Sequence, residues 1–461
     1  MKSFPTTRKQ LILLFLLGTV SLLASNTPNF LVRSIVTDNA IISLDFSPDG
    51  KWLVSGGADR TVTIWEVETG KESQTFTGHT DDVLAVRFSP NGRYVASSGV
   101  DKVIKIWDVR ANELVHNLTG HSDYIRDLAF SPDGRMVASA SWDMTAIVWE
   151  VSTGRQLQTF TGHSDNVTSI SFNSDGTKVV TSCGDYNLRI WEVGTGKLLK
   201  VIRGHKDEIW DVKWSKNEKL IASGAWDNTA RLWDMESGEE LHVYPGHVTD
   251  VWSVSFNEDN TILASCGGDR KVKLWDNATG RIIADLSGDT HKADVEEVTF
   301  SPDGQLVASA SRDGSIRFWK VPSMKERIAF LAEAKYAVWE RRQPYEKTKD
   351  YQSRLKNKEN FLNSFKQDIA KGIKGFYENT INWNEEFSLG EYEPDEEYFR
   401  LISKTFGTMK LYVPIDKAPQ FAEEFNSTRF SDFDLVYADD QFTLRGVTAI
   451  NDSFKKSFKA K

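Results

Sequence analysis

The sequence predicts a mostly β repeat protein of seven small sheets with four short strands apiece, followed by a helical segment and a small α+β unit. Three observations carry this. Tryptophans fall at 65, 107, 149, 191, 233 and 275, each 42 residues after the last, and again at 319 after a step of 44. Aspartates at 59, 101, 143, 185, 227, 269 and 313 keep step, six residues ahead of them. A Gly-His pair recurs at 78–79, 120–121, 162–163, 204–205 and 246–247, and His291 continues the series inside GDTH, where the two extra residues lie. Self-similarity at this period marks a supersecondary unit that buries its apolar face by stacking on copies of itself.

The first element is N-terminal to the repeats. MKSFPTTRKQ is basic through Lys2, Arg8 and Lys9, and the uncharged run LILLFLLGTVSLLA follows from Leu11 to Ala24. A run of 14 is short for a bilayer span and suits the middle of a secretory signal peptide. Residues 1–28 are therefore expected to direct export to the periplasm or cell envelope of a bacterium. Leu22 occupies the −3 position before Ala24, where cleavage wants a small side chain, so an uncleaved membrane anchor through residues 11–24 is the alternative.

Within a repeat, TSISF (168–172) alternates apolar and polar residues as a half-buried strand does. A turn follows, SPDG at 47, 131 and 301 and SPNG at 89; proline presets its first dihedral and glycine takes the positive φ that ends it. VVTSC (179–183), LRIW (188–191) and KLLKVI (197–202) supply three more strands. Beyond Trp319 the pattern changes to a helical segment, 323–383. IAFLAEAKYAVWERRQ (328–343) stops before Pro344, and a second helix over about 349–377 sets Tyr351, Leu355, Leu362, Phe365, Ile369, Ile373 and Phe376 on one stripe. A small α+β domain is expected over 384–461. EYFRLISK and TMKLYVP flank Thr405-Phe406-Gly407 as a hairpin, IDKAPQFAEEF is a short helix, and DLVYA and FTLRGVTAI are strands joined by Asp439-Asp440.

Over residues 29–322 these repeats resemble the WD-repeat family. The resemblance implies a seven-bladed β-propeller of four-stranded blades. Its ring should close by mixing ends, with FLVRSI (30–35) supplying the outer strand to the blade made by residues 295–320, which leaves fewer exposed edges. It also implies that histidine, turn aspartate, a Ser or Thr of the second strand and tryptophan form a buried hydrogen-bonded set in each blade. Carried over, these scaffold residues are His79, Asp101 and Trp107; His121, Asp143 and Trp149; His163, Asp185 and Trp191. They continue as His205, Asp227 and Trp233; His247, Asp269 and Trp275; His291, Asp313 and Trp319. Six His-Asp pairs at a constant 22-residue spacing do not describe a catalytic dyad, since an active site needs one. Thr37 stands where the first blade's histidine belongs. Further on, YEKTKDYQSRL and LYVPIDKAPQFAEEF are similar to a domain of unknown role in exported proteins of Bacteroidetes, which implies no activity.

In the family, the residue before the turn aspartate and those three and five after the histidine surround the channel mouth, where partners dock. Here these positions include Trp142, Trp226 and Arg312, then Tyr124 and Arg126, Glu208 and Trp210, Asp250 and Trp252, Asp294 and Glu296. Exposed Trp, Tyr and Arg are the residues most enriched at interface hot spots. Glu208, Asp250, Asp294 and Glu296 should form an acidic arc beside them. The competing expectation is that the rings stack on each other and plug the mouth.

Composition narrows the function. The net charge is −9, and residues 321–461 carry 23 basic and 23 acidic side chains, so the negative excess lies in the repeats. Without a basic excess, nucleic acid is not an expected partner. All eight histidines lie at or before residue 291, and the two cysteines, Cys183 and Cys266, fall in predicted strands as buried free thiols. The last 170 residues thus lack the side chains of Cys-His and Ser-His nucleophiles and of most transition-metal sites. The expectation is a non-enzymatic exported scaffold that binds a protein or peptide on its propeller face and needs no cofactor or metal. The alternatives are a carboxylate-based hydrolase and a glycan-binding module using the Trp-rich face.

Overall fold

A computed structural model describes residues 30–286, 291–339, 352 and 354–380, together with six strands between 387 and 459. Seven four-stranded antiparallel sheets follow one another around a ring. Six are built from consecutive strands. The seventh takes three strands from residues 295–320 and its outer strand, Leu31–Val36, from the start of the described chain. That strand pairs with Ser315–Lys320, Leu31 opposite Trp319 and Val36 opposite Ser315, so the ring is latched by backbone hydrogen bonds as the repeat resemblance implies.

Apolar cores lie between neighbouring sheets. Val54, Ile64 and Phe76 of blade 1 pack on Val86, Val95 and Trp107 of blade 2, and the same arrangement repeats around the ring. Gly50, Gly92, Gly134 and Gly304 end the SPDG and SPNG turns at φ between 67° and 70°, the left-handed region that glycine enters without a Cβ clash. Cys183 and Cys266 are buried free thiols. Near the axis, polar side chains of each first strand stitch blade to blade. The N–H of Val86 donates to Ser43, that of Val212 to Ser169, that of Val254 to Asp211, and that of Leu44 to Glu297, closing the circle.

In blade 2, His79 bonds Asp101 at 2.8 Å and the Ser97 hydroxyl at 2.7 Å, and the Trp107 indole donates to the same hydroxyl at 2.8 Å. Blades 3, 5 and 6 repeat this set through His121, His205 and His247. Blade 7 loosens it, with His291 at 3.3 Å from Asp313 and 3.0 Å from Ser315. Blade 4 departs from the expected set. Arg189 takes Asp185 with both amino groups, at 2.6 and 3.0 Å, and the Nδ1 of His163 has no protein partner among the described residues. The reason lies one strand over. In blade 5 the corresponding Arg231 also reaches Glu240 at 2.7 Å, which leaves Asp227 free to keep His205. Blade 4 has Leu198 where Glu240 would be, so Arg189 turns wholly to the aspartate.

Burial, and then the charge of Arg189, holds the His163 imidazole down at about 4; burial does the same to His291, also at about 4. Both lie below the unfolded value, so between pH 6.5 and 4 the unfolded chain binds protons that the native state refuses. Stability is full above about pH 6.5 and falls as the pH drops through that window, by about 2–3 kcal/mol for each histidine. Urea melts at pH 7.5 and 4.5 should show this loss, and His163→Gln should remove about half of it. An unchanged slope in that variant would place the acid sensitivity elsewhere.

Two helices follow the ring. Helix α1 spans Met324–Trp339, starting four residues before the expected 328. Ser323 and Glu326 form a capping box there: the Glu326 carboxylate accepts the Ser323 N–H at 2.7 Å and the Ser323 hydroxyl accepts the Glu326 N–H at 3.3 Å. Residues 340–343 of the expected helix lie outside the described residues. The expected helix 349–377 is interrupted: residues 352 and 354–355 are helical, and helix α2 proper spans Lys358–Thr380. A turn at Lys356-Asn357 separates it from the residues before, and the Asn357 carbonyl accepts the Phe361 N–H as a helix start does.

The stripe on α2 is used. Ile369, Ala370 and Ile373 join Ile328, Leu331 and Ala332 of α1 over Ile283, Ala284 and Leu286 on the outer edge of blade 6. One ion pair anchors the contact: Arg327 of α1 reaches Asp276 at 2.6 Å, both fully enclosed. Six more strands form two antiparallel three-stranded sheets, Phe387–Glu393 with Tyr398–Ser403 and Gly407–Tyr412, and Arg429–Ala438 with Gln441–Asn451 and Phe454–Lys459. Both expected strand pairs are there, and the first and last of the six went unread in the sequence. The expected helix at 415–425 lies outside the described residues, as do residues 1–29. Among the described residues no helix is long and apolar enough to cross a membrane.

Candidate functional site

The first strand of every blade carries a β-bulge near its start, for example between Ile209 and Asp211 or Val251 and Ser253. The skipped residue is the fifth after the histidine: Trp210 and Trp252 in those blades, Arg126, Thr168 and Glu296 in others. A bulge frees one residue from the ladder and re-aims its side chain. Here all the re-aimed side chains converge on the axis, where they line the upper end of the channel. This backbone irregularity is why positions identical in the repeat carry side chains as different as Leu84, Arg126 and Trp210.

Five rings meet there in one cluster. Tyr124 and Trp142 are 5.2 Å apart, and Trp142 meets Trp210 edge-on at 6.4 Å. Trp210 stacks on Trp226 at 5.0 Å and 18°, while Trp252 stands across both, 5.0 Å from Trp210 and 6.0 Å from Trp226. Trp210 is the centre of the cluster and only 8% exposed; Tyr124, Trp142, Trp226 and Trp252 remain half-buried. The expectation of freely exposed rings is thus corrected: large apolar faces close on one another, and the outer ones keep a surface toward solvent. The indole N–H groups of Trp142, Trp210, Trp226 and Trp252 are buried without a protein acceptor among the described residues.

The charges sort into two layers. Arg126 lies 5.5 Å over Trp210 and Arg312 5.8 Å over Trp252, and both reach the Glu296 carboxylate. Glu296 therefore does not belong to the acidic arc. It is 2% exposed and serves as the shared counter-ion beneath the two guanidiniums, because its bulge position points it inward. Glu208, Asp250 and Asp294 remain outside. Partial burial, then the nearby Asp165 and Asp207 charges, raises the Glu208 carboxyl; partial burial, then Asp207 and Asp294, raises that of Asp250. Like charges crowd this rim, and Asp165 and Asp207 extend it beyond what the sequence reading found. Their signal was visible, since an aspartate recurs two residues after the histidine at 81, 123, 165 and 207.

The turn after each aspartate adds a further surface. Met144 and Tyr186 sit at φ of 67° and 68° and are 47% and 44% exposed, and Val248 on the neighbouring loop is 76% exposed. A bulky side chain at positive φ is strained by roughly 1 kcal/mol. Tyr186→Asn is expected to raise stability by about 0.5–1 kcal/mol, since Asn tolerates this conformation. If the ring contacts a partner, the same change weakens capture; thermal melts and a binding assay on one preparation read both.

Among the described residues no cluster of His, Cys, Asp and Glu is arranged to hold a metal ion. The buried carboxylates at this mouth and just beneath it are already engaged, Glu296 by Arg126 and Arg312, Glu297 by Arg87. The arrangement can hold rings, cations and peptide backbone.

Comparison with known proteins bears on the whole ring. The family model described as WD domain, G-beta repeat matches seven times, at residues 31–66, 70–108, 112–150, 154–192, 196–234, 238–276 and 281–320. Single proteins match over short stretches. The chain is 50% identical over 56 residues to the nuclear distribution protein nudF of Aspergillus terreus, 12% of each chain. It is 40% identical over 53 residues to the probable serine/threonine-protein kinase PkwA of Thermomonospora curvata, 12% of this chain and 7% of that one. It is 43% identical over 47 residues to the general transcriptional corepressor TUP1 of Saccharomyces cerevisiae, 10% of this chain and 7% of that one. The chain thus spans 12% or less of the length of these relatives. Propellers of this family typically serve as protein-interaction scaffolds. With seven matched repeats covering more than half its length and a ring closed by its own ends, the chain belongs to the WD-repeat family.

Proposed function

We propose that this chain is a non-enzymatic exported scaffold whose channel mouth docks a protein or peptide partner carrying basic side chains. The observation that carries the reading is the joint arrangement at the mouth: stacked indoles ringed by a crowded acidic rim. A partner cation relieves the repulsion among Asp207, Glu208, Asp250 and Asp294, and its apolar neighbours cover the outer rings. Arg126 and Arg312 already lie over two of the indoles, so the faces accept guanidinium groups.

Export rests on the basic start and the apolar run Leu11–Ala24. In this reading residues 1–28 are a signal peptide or, uncleaved, an anchor, and residues 384–461 form a small α+β domain held to the ring through α1 and α2. The carboxylate hydrolase is the weaker reading, because the enclosed carboxylates at the mouth are consumed in ion pairs. The kinase in one relative's name adds no support, since the matched stretch is 7% of that protein.

Cross-linked pull-down from an envelope fraction, with mass spectrometry, tests the proposal and reads the mature N-terminus from the same sample. Basic, acidic and neutral peptide arrays and a glycan array then characterise the mouth. Preference for basic peptides that disappears in Asp250→Lys supports the reading. Binding of glycans alone overturns it.

A further inference from the structure

The channel has a second mouth. Between the two it narrows to a cavity of about 20 Å3, and at the far end it opens into a funnel of about 450 Å3. That is the size of a small-molecule site. The first strand of each blade ends in a large ring at this end, and Phe46, Trp214 and Phe300, each only 5–7% exposed, together with half-buried Phe256 contribute to the funnel's lining. Its charged lining residues are Asp45 and Lys213 and, at the exposed rim, Lys216 paired with Glu258.

The charges behind the funnel do not balance. Arg87 bridges Asp127 at 2.6 Å and Glu297 at 2.8 Å. Lys213 reaches Asp211 at 2.8 Å and Asp127 at 3.7 Å. These two cations therefore serve three carboxylates before Asp45 is counted. Asp45 accepts the Phe88 N–H at 2.8 Å and makes no ion pair among the described residues. It is enclosed by protein except toward the funnel, where part of its surface stays open. Burial pushes its carboxyl up to about 6, against the pull of Arg87, the Phe88 N–H and Lys213 and with the push of Glu297. An enclosed carboxylate without a counter-ion is costly, and a cation brought to it recovers that cost.

We propose that this funnel is a second binding site, separate from the aromatic mouth, for a small organic cation whose ammonium group meets the Asp45 carboxylate and whose alkyl part packs on Phe46, Trp214, Phe256 and Phe300. The rings supply apolar contact. An organic anion of the same shape meets uncompensated carboxylates and is refused.

Calorimetric titration of the full chain with n-butylammonium at pH 8 tests this, with butyrate as the anion of similar shape. Saturable binding of n-butylammonium is expected, with Kd on the order of 1 mM for so small a probe, and none of butyrate. At pH 5 the probe keeps its charge while Asp45 takes a proton, so affinity falls at least tenfold. Asp45→Asn loses at least tenfold at pH 8 with an unchanged circular dichroism spectrum. Lys216→Glu, on the exposed rim of the funnel, tightens binding about threefold at low salt and keeps the test decisive if Asp45→Asn fails to fold. Glu113→Gln, on the exposed outer strand of blade 2 and away from both mouths, leaves binding unchanged. Absence of saturation, equal binding of butyrate, indifference to Lys216→Glu, or loss in Glu113→Gln overturns the proposal.

Discussion

Trp226→Ala is expected to weaken partner capture about 30-fold or more while shifting stability by only about 1 kcal/mol, and Trp210→Ala to destabilise the chain by about 3–5 kcal/mol. The difference follows from where the two rings stand. Trp226 is the outer member of the 5.0 Å stack and is half-buried, so its loss removes two aromatic pairs, with Trp210 and Trp252, and uncovers a docking face. Trp210 is 8% exposed and contacts Trp142, Trp226, Trp252 and Arg126, so truncating it empties the centre of the cluster. Thermal melts combined with surface plasmon resonance against the cross-linked partner separate the effects. If Trp226→Ala costs as much stability as Trp210→Ala and the folded remainder still captures the partner, the rings are a plug and nothing more.

Arg327→Ala should release α1 from blade 6 at a cost of about 3–5 kcal/mol, because it leaves the Asp276 carboxylate enclosed without its cation. The carboxylate would keep only the Thr279 N–H and hydroxyl, at 2.9 and 2.8 Å. The effect is local. Hydrogen exchange should accelerate in Met324–Trp339 and along Arg281–Asp285, the strand the helices cover, while blades 2 to 4 stay protected. Asp276→Asn in the same background should recover part of the loss, since it removes the stranded charge and keeps the bonds to Thr279. Uniform acceleration around the whole ring would mean that the helices clamp the propeller itself.

The repeats were legible in the residues because they follow from local rules repeated at a fixed spacing. Strand alternation, the SPDG turn and the 22-residue His-Asp step depend on neighbours within one repeat. The latch came with the family resemblance, and the structure shows its need: the last blade's own residues supply only three strands, and Leu31–Val36 is the fourth. Blade 4 was misread for a comparable local reason: Arg189 takes Asp185 from His163 where Leu198 replaces an acid on the adjacent strand. The helix start at Ser323 was written in capping chemistry that a reading by apolar stripe alone passes over.

What the residues by themselves determined, then, is the number of repeats and their strand content; closure of the ring and the choice of rings and charges carried to one end of the axis came with the resemblance those repeats bear. Tertiary structure alone decided the order of those groups in depth: Trp210 beneath Trp226, Glu296 beneath the two arginines, Asp45 left without a cation at the far mouth. The physical reason is that these groups come from different blades, 42 residues or more apart in the chain, and meet only where bulged strands converge on a common axis. Their burial and charge balance are properties of that convergence, and no repeat taken singly contains them.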